Sequence, residues 1–241
     1  RAAQTEYVMV MDPHVTLASG SLKKLVSFLR QTGDSNDLFH GPLLSIGGGT
    51  HATHMNPAFS NTNFGRWGTY QPAKHPGMRN PDIYEVPLHG MGLFLVRRDA
   101  WLGFHPAMHH FGSEEGYLHE KYRLHGRKVW SLPFLGWYHV FRNKSRKILY
   151  KMPTEHKYRN MLIGWREVSL PMDYVESCWK HVLKDEVRKP IMDNVDSLNI
   201  VPIPRAPDQL PFLGYPLRIY DEPFRDNESY ADYEIPLFYP R

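Results

Sequence analysis

Tyr7-Val8-Met9-Val10-Met11-Asp12-Pro13-His14 is the stretch on which the reading of this chain turns. Its unbroken apolar run predicts a buried strand, and the strand ends in an acid-x-histidine step. Strand side chains alternate between faces, so residues two apart share one. With an extended backbone through Pro13, Asp12 and His14 face a single ion. A second segment, Gly136-Trp137-Tyr138-His139-Val140-Phe141-Arg142, offers a further imidazole beside a guanidinium. Two imidazoles and a carboxylate suit a borderline divalent metal such as manganese. Read alone, Asp-x-His is equally a strand-end acid, a turn proline and a surface histidine.

Around these segments lie 241 residues, enough to bury a core as one large domain or as one domain with an extension. A hydrophobic content of 41% and a charged content of 22% fit a soluble globular chain. No apolar run approaches membrane-spanning length. Cys178 is the single cysteine. It excludes an intramolecular disulfide and a cysteine-built zinc site, and favours a reducing, cytoplasmic compartment. The chain starts at Arg1 without an initiator Met, so a processed leader and a Golgi or secretory placement stay open. A formal charge of +4 and an isoelectric point of about 9.0 tilt toward an anionic partner such as a nucleotide or nucleic acid. Most of the 14 histidines belong on the surface or hydrogen-bonded in the core, and a lone one is a poor ligand candidate.

Along the chain, Ser19 or Ser21 can cap a helix that runs to about Arg30, with Leu22, Leu25, Val26 and Leu29 on one face. Gly33 ends it. Residues 38–46 read as a strand. Residues 47–82 are rich in Gly, Asn, Pro and His, and predict a long irregular loop of the functional kind. Trp67 and Tyr70 within it form either a stacking platform or anchors to the core. Residues 85–97 read as a strand interrupted by Gly90-Met91-Gly92, where a ligand or another backbone approaches closely, or where the strand bulges.

Phe111-Gly112-Ser113-Glu114-Glu115 predicts a helix start, with Ser113 as N-cap and the acids at the positive end of the dipole. Helix electrostatics alone accounts for that acid pair. The helix runs to about His125 and stops at Gly126, and residues 128–132 form a strand leading toward His139. Arg142-Asn143-Lys144-Ser145-Arg146-Lys147 holds phosphates by charge and bidentate contacts, or is a solvated loop. Helices are expected near residues 155–163 and 172–187. From Pro190 to Arg241 the chain is dense in Pro, Tyr, Asp and Arg, and predicts an extended tail that wraps the core or meets a partner. There is no internal repeat.

Taken in order, these landmarks resemble a glycosyltransferase of the GT-A fold, and within it the polypeptide N-acetylgalactosaminyltransferases and their family-2 relatives. That family has a strand ending in Asp-x-His, matched here by Asp12-Pro13-His14. It has a glycine-containing strand, matched by His89-Gly90-Met91-Gly92-Leu93-Phe94. A "Trp-Gly-Gly-Glu-Asn" helix start is matched by Phe111-Gly112-Ser113-Glu114-Glu115, and a "Gly-His-Val-Phe-Arg" segment by Trp137 to Arg142. Phe111 replaces the family's Trp, and Glu115 its Asn. Glu115 instead matches the second acid of family-2 enzymes, the base in inverting transfer. The likeness covers residues 6–142.

The resemblance implies an α/β GT-A fold, a mixed sheet flanked by helices. Residues 1–150 would be the catalytic part, 151–189 a helical extension and 190–241 the extended tail. It implies a Mn2+ (or Mg2+) ion on Asp12, His14 and His139, and a nucleotide-sugar donor, foremost a UDP-sugar. A hexosyl or N-acetylhexosaminyl group would pass to a hydroxyl of a glycan, a protein or a modified nucleic-acid base. Arg142, Lys144 and Arg146 would hold phosphates, with Trp67, Gly90 and Gly92 at the substrate. Glu115 or Glu114 would take the acceptor proton if configuration is inverted, and would position sugar or acceptor if it is retained. The family's first strand–helix units, which hold the nucleobase and ribose, have no counterpart ahead of the Asp-x-His strand. This implies a fragment, a separate polypeptide supplying the front half, or a homo-oligomer.

Two other classes compete. A non-catalytic binding or assembly subunit keeps the fold without the reaction. A non-haem iron oxygenase uses two histidines and a carboxylate, though with His-x-acid order and a jelly-roll barrel.

Overall fold

A computed structural model describes residues 3–45, 49–69, 83–139 and 153–220. The elements run β1 (Tyr7–Met11), β2 (Val15–Leu17), α1 (Ser21–Thr32), β3 (Leu38–His40), β4 (Leu43–Leu44), β5 (Thr50–Ala52), β6 (His54–Ser60), β7 (Asn63–Gly68), β8 (Tyr84–Glu85) and β9 (Leu93–Arg97). They continue with α2 (Tyr117–Leu124), β10 (Val129–Ser131), β11 (Trp137–His139), α3 (Thr154–Glu167), α4 (Met172–Trp179), α5 (Asp185–Ser197) and β12 (Arg218–Tyr220).

The main sheet has the order β1-β9-β3-β10-β8, with β3 and β10 parallel and the other pairs antiparallel. Its central strands are apolar on both faces. Leu93 and Leu95 of β9 enter one core with Leu25 of α1 and Phe39, while Phe94 and Val96 enter the other with Leu38, Tyr117 and Met161. The period-2 alternation thus feeds two layers of helices, and continuous apolar runs are what doubly covered strands require. This mixed sheet between helices is not the jelly roll that the oxygenase reading needs.

A second sheet, β2-β11-β4-β5, continues the first. The chain passes between them at short breaks: Asp12–His14 from β1 to β2, Gly41-Pro42 from β3 to β4, and 132–136 from β10 to β11. At the second break a side chain on residue 41 would sit 1.9 Å from the Leu135 carbonyl oxygen, so only glycine lets the two crossings touch. The strand expected over 38–46 is therefore two strands split by Gly41-Pro42. Likewise, the strand expected over 85–97 is β8 and β9, separated by a turn at Met91-Gly92.

The expected loop 47–82 is corrected more sharply. Within it β6 and β7 form an antiparallel hairpin, and β12 adds to β6 in parallel. β6 is buried along almost its whole length, packed under α3 through Phe59 and Trp165. β1, expected to be buried, stands at the edge of its sheet with Val10 42% and Met11 39% exposed.

Helix α1 matches its expected span, although Gly20 rather than a serine occupies the N-cap position and Ser21 Oγ donates to Gly136 O instead. Ser113 is not an N-cap either. Its φ of 72° lies in the left-handed region, Gly116 caps α2, and Ser113 Oγ donates to Lys157 O. The helix expected over 172–187 is α4 and the start of α5, and α5 runs through Pro190 to Ser197 before the extended tail begins. The described part of that tail, to Tyr220, packs on the core: Arg205 Nη2 and the Phe212 N–H both donate to buried Glu120, which also receives Arg123 Nη1. No helix among the described residues is long and apolar enough to cross a membrane.

Candidate active site

Asp12, His14 and His139 meet where the two sheets join. The Asp12 N–H donates to Gly92 O, and the Val15 N–H returns to Asp12 O, each at 3.0 Å. Asp12–Val15 is therefore a tight turn, not the extended run expected through Pro13. The turn still gathers the acid and the imidazole, by folding back instead of by strand alternation. β11 pairs antiparallel with β2, His139 opposite Val15, which delivers its ring beside His14. The two Nε2 atoms face each other at 2.9 Å, and Asp12 Oδ2 lies 3.9 Å from His14 Nε2.

One ligand atom from each of these three residues lies within 4.8 Å of the others. Both imidazoles offer the same kind of nitrogen and the carboxylate completes a mixed N/O set, which fits manganese. Magnesium, which prefers oxygen ligands and its own water, fits less well. Burial, then His14, lowers the proton affinity of His139, with Asp12 opposing. That keeps the His139 ring neutral, the form a metal requires.

Gly92 backs this trio. A side chain there would come 3.3 Å from Asp12 Oδ2 and 3.4 Å from the Trp137 ring. Gly90 serves differently from the ligand approach foreseen for it. The space its side chain would need is held by Trp67, 2.5 Å away, and the indole also packs edge-to-face on buried His89. Trp67 is thus anchored to the core, yet its free side lines a cavity of about 330 Å3 with Arg66, Phe111, Glu115 and Lys157. That volume lies within the range of small-ligand pockets.

Glu114 and Glu115 stand on the turn before α2. Positive φ at Gly112, Ser113 and Gly116 bends the backbone sharply. Residue 116 has no room for a side chain, which would lie 2.4 Å from the Phe64 ring. Buried Asn160 of α3 ties the turn down by donating to His109 O and Gly112 O. Burial, then the Glu114 charge, pushes the Glu115 carboxyl up to about 8. Glu114 is also raised, by burial first. Asp12 contributes to both shifts and Lys157 opposes them, which places the acid pair within electrostatic reach of the metal-type trio.

The structure therefore brings Asp12, His14, His139 and Gly92 together, with Glu114 and Glu115 on the same side and Trp67 lining the adjoining cavity. Arg142, Lys144 and Arg146, like Tyr70, lie outside the described residues. Lys157 and Arg66 were not foreseen. Lys157 sits in the first turn of α3, where sequence pattern marks only a polar helix face, and Arg66 is a lone cation in a segment that read as loop.

The fold is similar to that of the crystal structure of GalNAc-T7 with UDP, GalNAc and Mn2+, at a TM-score of 0.54 and 15% identity over 79% of this chain. The match spans 38% of the length of that protein's chain. No protein-family model and no curated protein matches the sequence. The likeness establishes the fold alone: this is a mixed α/β chain with a GT-A-like fold.

Proposed function

We propose that this chain carries the metal and acid half of a glycosyltransferase that moves a sugar from a nucleotide-diphospho-sugar to a hydroxyl acceptor. The observation that carries the reading is the convergence of Asp12, His14 and His139 at the sheet junction, with Glu114 and Glu115 in electrostatic reach. The presence of UDP, GalNAc and Mn2+ in the structurally similar GalNAc-T7 favours Mn2+, a UDP-sugar and an N-acetylhexosaminyl or hexosyl group here. It also favours kinship with the polypeptide N-acetylgalactosaminyltransferase and family-2 group.

Asp12, His14 and His139 would hold a divalent ion, which would supply Lewis-acid neutralisation of charge on a diphosphate leaving group. This chain's own residues do the rest. Arg142, Lys144 and Arg146 follow His139 closely in sequence and are suited to charge-assisted bonds with phosphate oxygens. The cavity beside Trp67 takes the sugar or acceptor, with the indole as an apolar wall and Lys157 and Arg66 as donors. Glu115, pushed to about 8, keeps its proton at neutral pH and can donate a hydrogen bond to a substrate oxygen. Glu114 is then the carboxylate able to accept the acceptor's hydroxyl proton if configuration is inverted. The basic balance of the chain keeps a nucleic-acid acceptor beside glycan and protein hydroxyls.

Nucleobase and ribose contacts are proposed to come from strand–helix units ahead of β1, from the same polypeptide or a partner. A second reading, a non-catalytic subunit, draws on β1, which among the described residues stands at the edge of its sheet. Calorimetry with UDP- and GDP-sugars in the presence and absence of Mn2+, using protein with any upstream segment included, separates the two. Metal-dependent donor binding lost in Asp12→Ala supports the transferase. No donor binding with or without metal supports the subunit.

A further inference from the structure

His109, His110 and His156 form a second imidazole cluster, outside the site described above. One ring nitrogen from each lies within 4.8 Å of the others. The ring centroids are 4.8 Å (His109–His110), 4.9 Å (His109–His156) and 4.1 Å (His110–His156) apart. Adjacent residues in ordinary extended backbone send their side chains to opposite sides. Here His110 adopts φ 60°, a left-handed conformation rare for a non-glycine residue, and both rings of the pair turn to the same side.

The pair is also fixed to the helix that carries the third ring. The His109 N–H donates to Asn160 Oδ1 at 3.2 Å and its carbonyl accepts from Asn160 Nδ2 at 2.9 Å. Asn160 follows His156 by one helical turn, on the same face of α3. Arg159 is within electrostatic reach of His109, but its guanidinium is engaged with Ala107 O and Asn194 Oδ1.

We propose that His109, His110 and His156 bind a divalent transition ion of the zinc class, as a site distinct from Asp12, His14 and His139. An all-imidazole set suits zinc over manganese or magnesium. Four-coordinate zinc with Zn–N of about 2.0–2.1 Å sets its nitrogens about 3.4 Å apart, which small side-chain rotations of these partly exposed rings supply. Three protein ligands leave a fourth position for water. The ion bridges the turn bearing Glu114 and Glu115 to the first turn of α3, where Lys157 stands. It thereby clamps the wall of the substrate cavity without entering it.

The test isolates this site by using a background in which the other is removed. Asp12→Ala/His14→Ala/His139→Ala protein is titrated with Zn2+ by calorimetry, and with Co2+ for its visible ligand-field bands. One equivalent is expected to bind with low-micromolar or tighter affinity, with nitrogen-ligand cobalt bands and a Zn2+-dependent rise in Tm. Adding His110→Ala is expected to abolish all three signals while circular dichroism stays native. His156→Gln, on the helix, is a second variant with the same expectation if His110→Ala fails to fold. Absence of one-equivalent binding in the background protein overturns the proposal, as does binding that survives both variants or affinity only in the millimolar range. These readouts do not depend on sugar transfer, so failure of the transferase reading leaves them intact.

Discussion

Two groups of histidines in this chain have opposite environments. His40, His89 and His119 are fully buried between β3, the turn before β9 and α2, their rings stacked at 5.0 Å. His119 Nε2 lies 3.2 Å from His40 Nε2 and 3.0 Å from the His89 N–H, and His40 Nδ1 lies 3.0 Å from Leu93 O. Burial lowers the proton affinity of all three, that of His89 to about 4. His14 and His139, only half-buried, bring their Nε2 atoms to 2.9 Å from each other, with the Asp12 carboxylate beside them. The side chain is the same in both groups. Full desolvation makes it a neutral core residue, and partial exposure beside Asp12 suits it to the ligand role proposed for it.

The largest expected effect on stability comes from the buried group. His119→Ala removes hydrogen-bond partners of buried groups and leaves a cavity, so unfolding free energy should fall by about 2–4 kcal/mol in urea titrations. Donor binding per folded molecule should stay unchanged. The half-buried group should reverse this pattern. His139→Ala should weaken metal-dependent donor binding or turnover by about 100-fold or more, while stability shifts by less than about 1 kcal/mol. A His139→Ala protein that unfolds but transfers sugar when folded would erase the distinction.

Acid should separate the groups next. The unfolded chain protonates histidine near 6.5, whereas folded His89 does so only near 4. In that interval the unfolded state binds more protons, so stability is full above 6.5 and is lost as pH falls toward 4. Urea midpoints between pH 7 and 5 should therefore drop for the wild type and drop less for His89→Phe.

Glu115 has the opposite sign. Its carboxyl keeps a proton to about 8 when folded but releases it near 4.5 when unfolded, so its contribution is full below 4.5 and is lost as pH rises through 8. Glu115→Gln should flatten the loss of stability that this group contributes as pH rises from about 5 to about 8. Turnover retained at pH 7 in that variant would assign Glu115 to hydrogen-bond donation, and turnover lost would make it the base.

One side of this contrast was legible in the sequence, and the residues show why: His40, His89 and His119 gave no signal as a cluster. Asp12-Pro13-His14 and His139 were visible because short segments carry them, the first straight after an unbroken apolar run. The turn that joins them was not, since Pro13 fits extended and turned backbone alike. The β6–β7 hairpin was hidden because β6 is buried on both faces and so lacks alternation, and because Asn, Gly and Pro read as loop. Here tertiary burial overrode local propensity. β1 read as buried from its apolar run, yet its sheet ends there. The site-wall cation Lys157 and the His109, His110 and His156 cluster left no spacing signal. They meet only because Asn160 holds a turn against α3.

The central claim is that Asp12, His14 and His139 hold the metal. Pulsed electron paramagnetic resonance of the Mn2+-loaded protein reads this directly, through the coupling of imidazole nitrogens to the ion. The account predicts two nitrogens in the wild type, one in His139→Ala, and an unchanged pair in His110→Ala. A spectrum without nitrogen coupling, or one that His139→Ala leaves untouched, would contradict it.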